Sequence, residues 1–262
     1  MRRVVYTVVT GNYDTVFPIK FKSACNFLLF TDNSELKVEG WETIPIDPYQ
    51  YPGFSGSDIN RNLKIIIPKE CHVYDQSLYL DGHVKLNNDP AKLFDEYLEE
   101  NDIAIPPHPF RKCFSEEADY CIANGIANKD LVLKQINNYT NLGFPREFGL
   151  TENGIILRNH SSQAIRLLMD EWWVEYKTGP KRDQLSLPFL LWKNRIVPGL
   201  IREGPRFSGR FFTLKPHSNR RFSRIRSFIW HIQTHKKRNV FYRIGCNMID
   251  YLISIIKREK MS

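Results

Sequence analysis

Short β-branched runs alternate with amphipathic helical stretches along this chain, and most of the runs end in a cluster of polar residues. Val4 to Val9 is the first run, closed by Thr10-Gly11-Asn12. Phe27 to Phe30 ends in Thr31-Asp32-Asn33, and Glu42 to Ile46 reads as a third strand. Arg61 to Ile67 follows a Gly/Ser loop and reads as a helix that Pro68 stops. Ser77 to Leu80 is an apolar strand that runs into Asp81-Gly82-His83. Further helices are expected over 90–100, 115–124, 163–176 and 184–193, with strands at 103–105 and 154–157. Strands alternating with helices predict an α/β domain on a mostly parallel sheet.

The 262 residues are 42% hydrophobic and 25% charged, enough apolar material for a substantial core and too much for a disordered chain. No apolar run approaches the roughly 18 residues that suggest a spanning helix. The run at Val4 to Val9 is too short for a signal peptide and has no small-residue cleavage site, so a cytoplasmic protein is expected. The five cysteines include no C-x-x-C pair, which predicts reduced, buried thiols and neither a disulfide framework nor a zinc knuckle.

The formal charge of +8 is concentrated at one end. Residues 218–262 hold eleven of the 37 lysines and arginines but only Asp250 and Glu259 among the 29 acidic residues. A near-neutral body over 1–217 therefore carries a basic helical tail. Tyr251, Leu252, Ile255 and Ile256 recur there at helical spacing. Such a basic amphipathic helix suits either a surface of anionic lipid or packing on its own domain with the charges solvated. No recognised nucleic-acid-binding motif accompanies the charge, so nucleic acid is not expected as a partner.

In open α/β sheets, ligands gather at the carboxyl ends of strands. Four polar clusters are expected there: Thr10 to Asp14, Thr31-Asp32, Asp81-Gly-His83 and Arg158-Asn159-His160. Asp81 and His83 are separated by one residue, so on extended chain they face the same side and can share an ion. Oxygen plus imidazole suits Mn²⁺ better than Mg²⁺. A turn with a capping Asp is the simpler reading of the same residues.

The run of motifs Val4 to Asp14, Phe30-Thr-Asp32, Arg61-Asn-x-Lys64 and Ser77 to His83, followed by His108-x-x-Arg111-x-Cys113 and Glu116-Glu117-Ala118, carries a resemblance. It resembles the small glycosyltransferases related to plant mucilage and pollen-turgor proteins, many of which lie in bacterial polysaccharide clusters. The likeness covers roughly 4–217. It implies a GT-A-like, Rossmann-type domain binding a nucleotide sugar, in which an Asp-x-Asp motif holds a divalent cation on the donor diphosphate. His83 stands where the second Asp is usual. The family's third metal ligand comes from late in the chain, which suggests His217, with His160 as the alternative. The likeness also places Thr10, Gly11, Tyr13 and Asp32 at the nucleoside, and Arg61, Lys64 and Asp81 at the diphosphate. His108, Arg111 and Glu117 would hold the donor sugar or the acceptor.

A looser similarity points the same way. Glu152-Asn-Gly-Ile-Ile-Leu-Arg-Asn159 and Arg182-Asp183-Gln184 are similar to segments of glycogenin-like and lipopolysaccharide galactosyltransferases. It implies that Asp183 and Gln184 lie beside the anomeric carbon, with Asn159 and His160 near the sugar. Asp183 could otherwise cap the helix at 184–193. An inverting enzyme would use Asp183 as general base, whereas a retaining one would place a weak group such as Gln184 beneath the sugar; the Asp-Gln likeness leans to retention.

The expected activity is transfer of a hexose from a UDP-sugar to a glycan acceptor, lipid-linked, at the inner face of a membrane where the tail docks. A metal-dependent phosphodiesterase using Asp81, His83 and His160, or a non-catalytic sugar-binding module, are the alternatives.

Overall fold

The computed structural model describes residues 1–217 and 224–259. Arg220, Arg221 and Lys260 of the expected basic tail lie outside the described residues. The strands are β1 (Arg3–Val9), β2 (Asn26–Thr31), β3 (Glu42–Pro45), β4 (Gln76–Asp81), β5 (Val84–Leu86), β6 (Ile103–Ile105), β7 (Ile155–Asn159), β8 (Gly199–Leu200) and β9 (Phe212–Leu214). The helices are α1 (Gly56–Ile65), α2 (Ala91–Leu98), α3 (Phe114–Ala123), α4 (Lys129–Asn141), α5 (Gln163–Thr178), α6 (Asp183–Lys193), α7 (Arg224–Thr234) and α8 (Val240–Glu259).

Seven strands form one sheet in the order β3-β2-β1-β4-β7-β6-β8. Every strand is parallel to its neighbours except β7, which runs antiparallel to β4 and β6. The expected α/β architecture with a mostly parallel sheet is the one observed. Strand periodicity divides the core in two. Val4, Tyr6 and Val8 of β1, with Tyr79 and Ile156, face a layer containing α1, α3, α5 and α6. Val5, Leu78, Leu80, Ile155 and Leu157 face α2 and the small β5–β9 sheet. Burial on both faces explains why β1 and β4 read as continuous apolar runs.

Helix α1 starts earlier than its apolar pattern, because Ser55 and Asp58 make a reciprocal capping box at its start. Its C-terminal carbonyls at Lys64 and Ile65 accept bonds from the buried guanidinium of Arg158 at 3.0 and 2.9 Å. Helix α4 was not anticipated; it buries only Val132, Gln135 and Tyr139, a stripe too thin to register. All five cysteines are free and buried.

The helical pair α7–α8 packs against the body. Trp230 joins the core beneath β5 and β9, and Arg238 donates to the Ser208 carbonyl at 2.8 Å. Val240, Phe241, Ile244 and Met248 of α8 remain exposed. Among the described residues, no helix is long and apolar enough to cross a membrane.

Candidate active site

The carboxyl ends of β1, β2, β4 and β6 open on one edge of the sheet, and the loops there converge. One cavity is lined by Arg61, Lys64, Asp81, His83, Asn153, Asp183 and Gln184, among others. It gathers residues from α1, the end of β4, the loop before β7 and the start of α6.

At its floor is a buried charge network. Lys64, 2% exposed, donates to Asp183 at 2.7 Å and lies 3.6 Å from Asp81. Arg61 approaches Asp183 at 3.9 Å. Burial opposes ionisation of Asp183, but Lys64, Arg61 and Arg182 outweigh it and hold the carboxyl well below its usual range. Asp81 is held down against burial in the same way by Lys64 and Arg61. Asp183 is the first residue of α6 and does not cap it; its side chain turns inward to Lys64. Trp172 is fully buried and donates its indole N–H to the Asp183 carbonyl at 3.2 Å, which anchors this turn from the core.

A second group lies beside the first. Asp14, His83 and His217 each present one ligand atom, all within 4.8 Å of one another. His217 Nδ1 is 2.8 Å from Asp14 Oδ1, and His83 Nδ1 is 3.7 Å from Asp14 Oδ2. His83 Nδ1 is buried with no hydrogen-bond partner. Two imidazoles, a carboxylate and an orphaned ring nitrogen fit a divalent ion with some affinity for nitrogen. Burial disfavours the Asp14 anion, but the hydrogen bond with His217 and the nearby imidazole of His83 bring its pKa down to about 2.

The local fold explains why these three meet. The β5–β9 ladder pairs Val84 with Leu214, and the Lys215 N–H donates to the His83 carbonyl at 3.0 Å. This delivers His217 to His83 from the far end of the body. Gly82 lets Asp14 approach, since a Cβ there would stand 2.7 Å from Val9 Cγ2 and 3.0 Å from Asp14 Cβ.

Asp81 does not join this group, contrary to the expectation from its spacing with His83. The strand ends at Asp81, so the alternation does not continue through Gly82-His83. The Asp81 carboxylate instead accepts from Tyr79 at 2.8 Å and faces Lys64. Asp14 fills the place expected of it. No spacing rule marks Asp14, which lies in a loop five residues beyond Val9.

The other anticipated residues fall into two sets. Thr10 bonds to the Gly56 carbonyl at 2.8 Å, and the Gly11 N–H donates to the Asp32 carboxylate at 2.9 Å. The Tyr13 ring packs 5.1 Å from His217, which joins this loop to the Asp14 group. On the opposite side, Glu117 is fully buried and holds both Arg111 and Arg182, the latter at 2.9 Å. Arg111 also bonds His108 at 3.0 Å, and Arg182 bonds Gln184. His108, Arg111, Glu117, Arg182 and Gln184 therefore form one connected network.

Asn159 and His160 are not part of the site. Because β7 is antiparallel, Asn159 pairs with Gln76 at the start of β4, on the opposite edge of the sheet from Asp81. His160 bonds Ser77 at 2.8 Å and the Tyr74 carbonyl at 2.9 Å; burial and Arg158 push its pKa down to about 4. It is a structural histidine. Asn153, which was not singled out, does face the cavity. It is 2% exposed, and its Nδ2 has no partner. Its place in the Glu152-Asn153-Gly154 turn just before β7 was the available signal.

No curated protein sequence matches this chain. Among solved structures, apo mouse xyloside xylosyltransferase 1 is similar at 16% identity and a TM-score of 0.44, over 77% of this chain and 85% of that one. The glycosyltransferase GlyE of Streptococcus pneumoniae TIGR4 is similar at 16% identity and a TM-score of 0.41, over 78% of this chain and 46% of that one. The galactosyltransferase LgtC, in complex with donor and acceptor sugar analogs, is similar at 15% identity and a TM-score of 0.40, over 78% and 74%. In sequence, residues 57–202, a stretch that holds α1 from its second residue together with Asp81, His83, Asp183 and Gln184, match a family model. That match spans more than half of the chain, which therefore belongs to the TOD1/MUCI70 glycosyltransferase-like domain family.

Proposed function

We propose that the protein transfers a hexose from a UDP-sugar to a glycan acceptor, with a divalent ion, Mn²⁺ rather than Mg²⁺, at Asp14, His83 and His217. The observation that carries this reading is the meeting, at one edge of the sheet, of a nitrogen-rich ligand set with the Lys64–Asp183 network. When bound, the ion would neutralise charge on the departing diphosphate.

The chain's own residues do the rest. Thr10, Gly11, Tyr13 and Asp32 receive the nucleoside at the β1–β2 end. Arg61 and Lys64 add positive charge along the diphosphate, with Asp81 and Asp183 holding both in place. Asn153 Nδ2 supplies a hydrogen bond to the donor sugar. Asp183 is a poor general base, because a carboxyl held so low accepts a proton weakly. That supports retention, with Gln184 beneath the anomeric carbon.

Release of UDP from a panel of UDP-hexoses, with and without glycan acceptors, tests the proposal. Release that Gln184→Ala and Asp183→Asn each lower by at least tenfold agrees with it. No release from any UDP-sugar by folded protein refutes it.

We further propose that the acceptor is lipid-linked and that α7–α8 rests on anionic lipid at the inner face of the membrane. The exposed Val240, Phe241, Ile244 and Met248 support this, together with Arg243 on the same helix.

A further inference from the structure

The sheet order sets out the cleft laterally. Asp32 follows β2, Asp81 ends β4, Asn153 precedes β7, His108 follows β6 and Arg206 follows β8. At about 4.8 Å per strand, the four steps from β2 to β6 span about 19 Å. The proposed nucleoside end and the β6–β8 end are thus well apart, and the second is open to an acceptor.

That second end is built from cations around an aromatic ring. Phe110 is 40% exposed, with the Arg206 guanidinium 5.1 Å and the Lys236 ammonium 5.2 Å from its ring centroid. Arg206 is tied at 2.8 Å to Glu152, whose other oxygen is buried without a partner and which lines the cavity. Arg111 and Arg182 share the single carboxylate of Glu117. His108, between them, adds no negative charge; burial and the charges of Arg111, Arg206 and Arg182 bring its pKa down to about 3. Arg182 also faces Asp183, so three carboxylates, Glu117, Glu152 and Asp183, stand against four cations, and the fourth, Lys236, comes from the turn after α7. The surplus positive charge beside an exposed ring is available to pair with an anion, and a sugar bearing an anion offers both a face for the ring and a charge for the cations.

We propose that this end of the cleft binds an acceptor sugar carrying an anionic group, a carboxylate or a phosphate, against Phe110 and between Arg206 and Lys236. The proposal rests on the transferase reading for the word acceptor, and its test keeps the two apart. Methyl lactoside, its uronic acid and its 6-phosphate are titrated into the full-length protein at saturating UDP and Mn²⁺. The anionic forms should bind at least tenfold more tightly than the neutral one, and the uronate and phosphate arms show which anion is preferred. Arg206→Gln and Lys236→Gln should each remove most of that preference. Lys236→Gln leaves the Glu152 pair intact and so reports even if Arg206→Gln is unstable. Equal binding of all three sugars, binding of none, or an anion preference indifferent to both substitutions overturns the proposal. Failure of UDP itself to bind instead strikes at the transferase reading.

Discussion

The Lys64 ammonium lies 2.7 Å from the carboxylate of Asp183, a residue 119 positions away. This contact joins the end of α1 to the start of α6 across the mouth of the sheet. Both side chains are nearly inaccessible, at 2% and 5% exposure. A buried pair contributes little net stability when intact, yet removing one partner strands a charge. Lys64→Met and Asp183→Asn should each destabilise the fold by about 3 kcal/mol, the low end for a buried pair, because Arg61 and Asp81 remain as secondary partners. The double variant should lose less than the sum of the two. Urea unfolding of the three variants measures this coupling.

Asp14, His83 and His217 should act as one metal-binding unit. Replacing any of them with Ala should weaken Mn²⁺ binding by tenfold or more in a calorimetric titration. Asp81→Asn should weaken it less, since the Asp81 carboxylate is turned to Tyr79 and Lys64.

Gly82→Ala is a steric test of the same unit. The new methyl would press on Val9 and Asp14, and relieving it moves Asp14 away from the histidines. The expected result is a stability loss of about 1–3 kcal/mol, as in overpacked cores, with Mn²⁺ affinity reduced, but no further than by Asp14→Ala.

The buried histidines make stability depend on pH. His108 and His160 have folded pKa values lowered to about 3 and about 4, mainly by burial. In the unfolded chain they protonate below about 6.5. Between that point and their folded values, the unfolded state holds more protons, so stability falls as pH falls. The slope is at most about 1.4 kcal/mol per pH unit for each histidine. Denaturant midpoints measured from pH 7 to pH 4.5 should drop steadily, and His160→Gln should flatten the dependence.

Helix α8 offers a test of membrane docking. Vesicles with about one-third anionic lipid should sediment the protein, less so as salt rises. Phe241→Ser combined with Met248→Ser should reduce sedimentation several-fold without changing the melting temperature by more than a degree or two. Sedimentation indifferent to both lipid charge and these substitutions would speak against a docking face on α8.

The strands and most helices were legible because burial on both faces leaves continuous apolar runs, as in β1 and β4. Asp81 was legible as a site candidate because it sits at a strand end, whereas Lys64, Asp183 and Gln184 were singled out through the resemblance to known families. What the sequence concealed was direction and long-range pairing. Asn159 and His160 were expected at the site on the assumption of a parallel strand, and the reversal of β7 carries them to the other edge. The β5–β9 ladder joins segments more than 120 residues apart, and neither three-residue strand has a readable period. That ladder brings His217 to His83, and the loop after β1 brings Asp14 to both. The grouping of Asp14 with His83 and His217 therefore became visible only in three dimensions.

The most direct test of the central reading is thermal stability across a panel of nucleotides and UDP-sugars, each with Mn²⁺ and with EDTA. A ligand selective for the native state raises the melting temperature by mass action. The melting temperature should rise with UDP and with at least one UDP-sugar, and the rise should require Mn²⁺ and disappear in Asp14→Ala. A folded protein whose melting temperature responds to no nucleotide, with or without Mn²⁺, would contradict that reading.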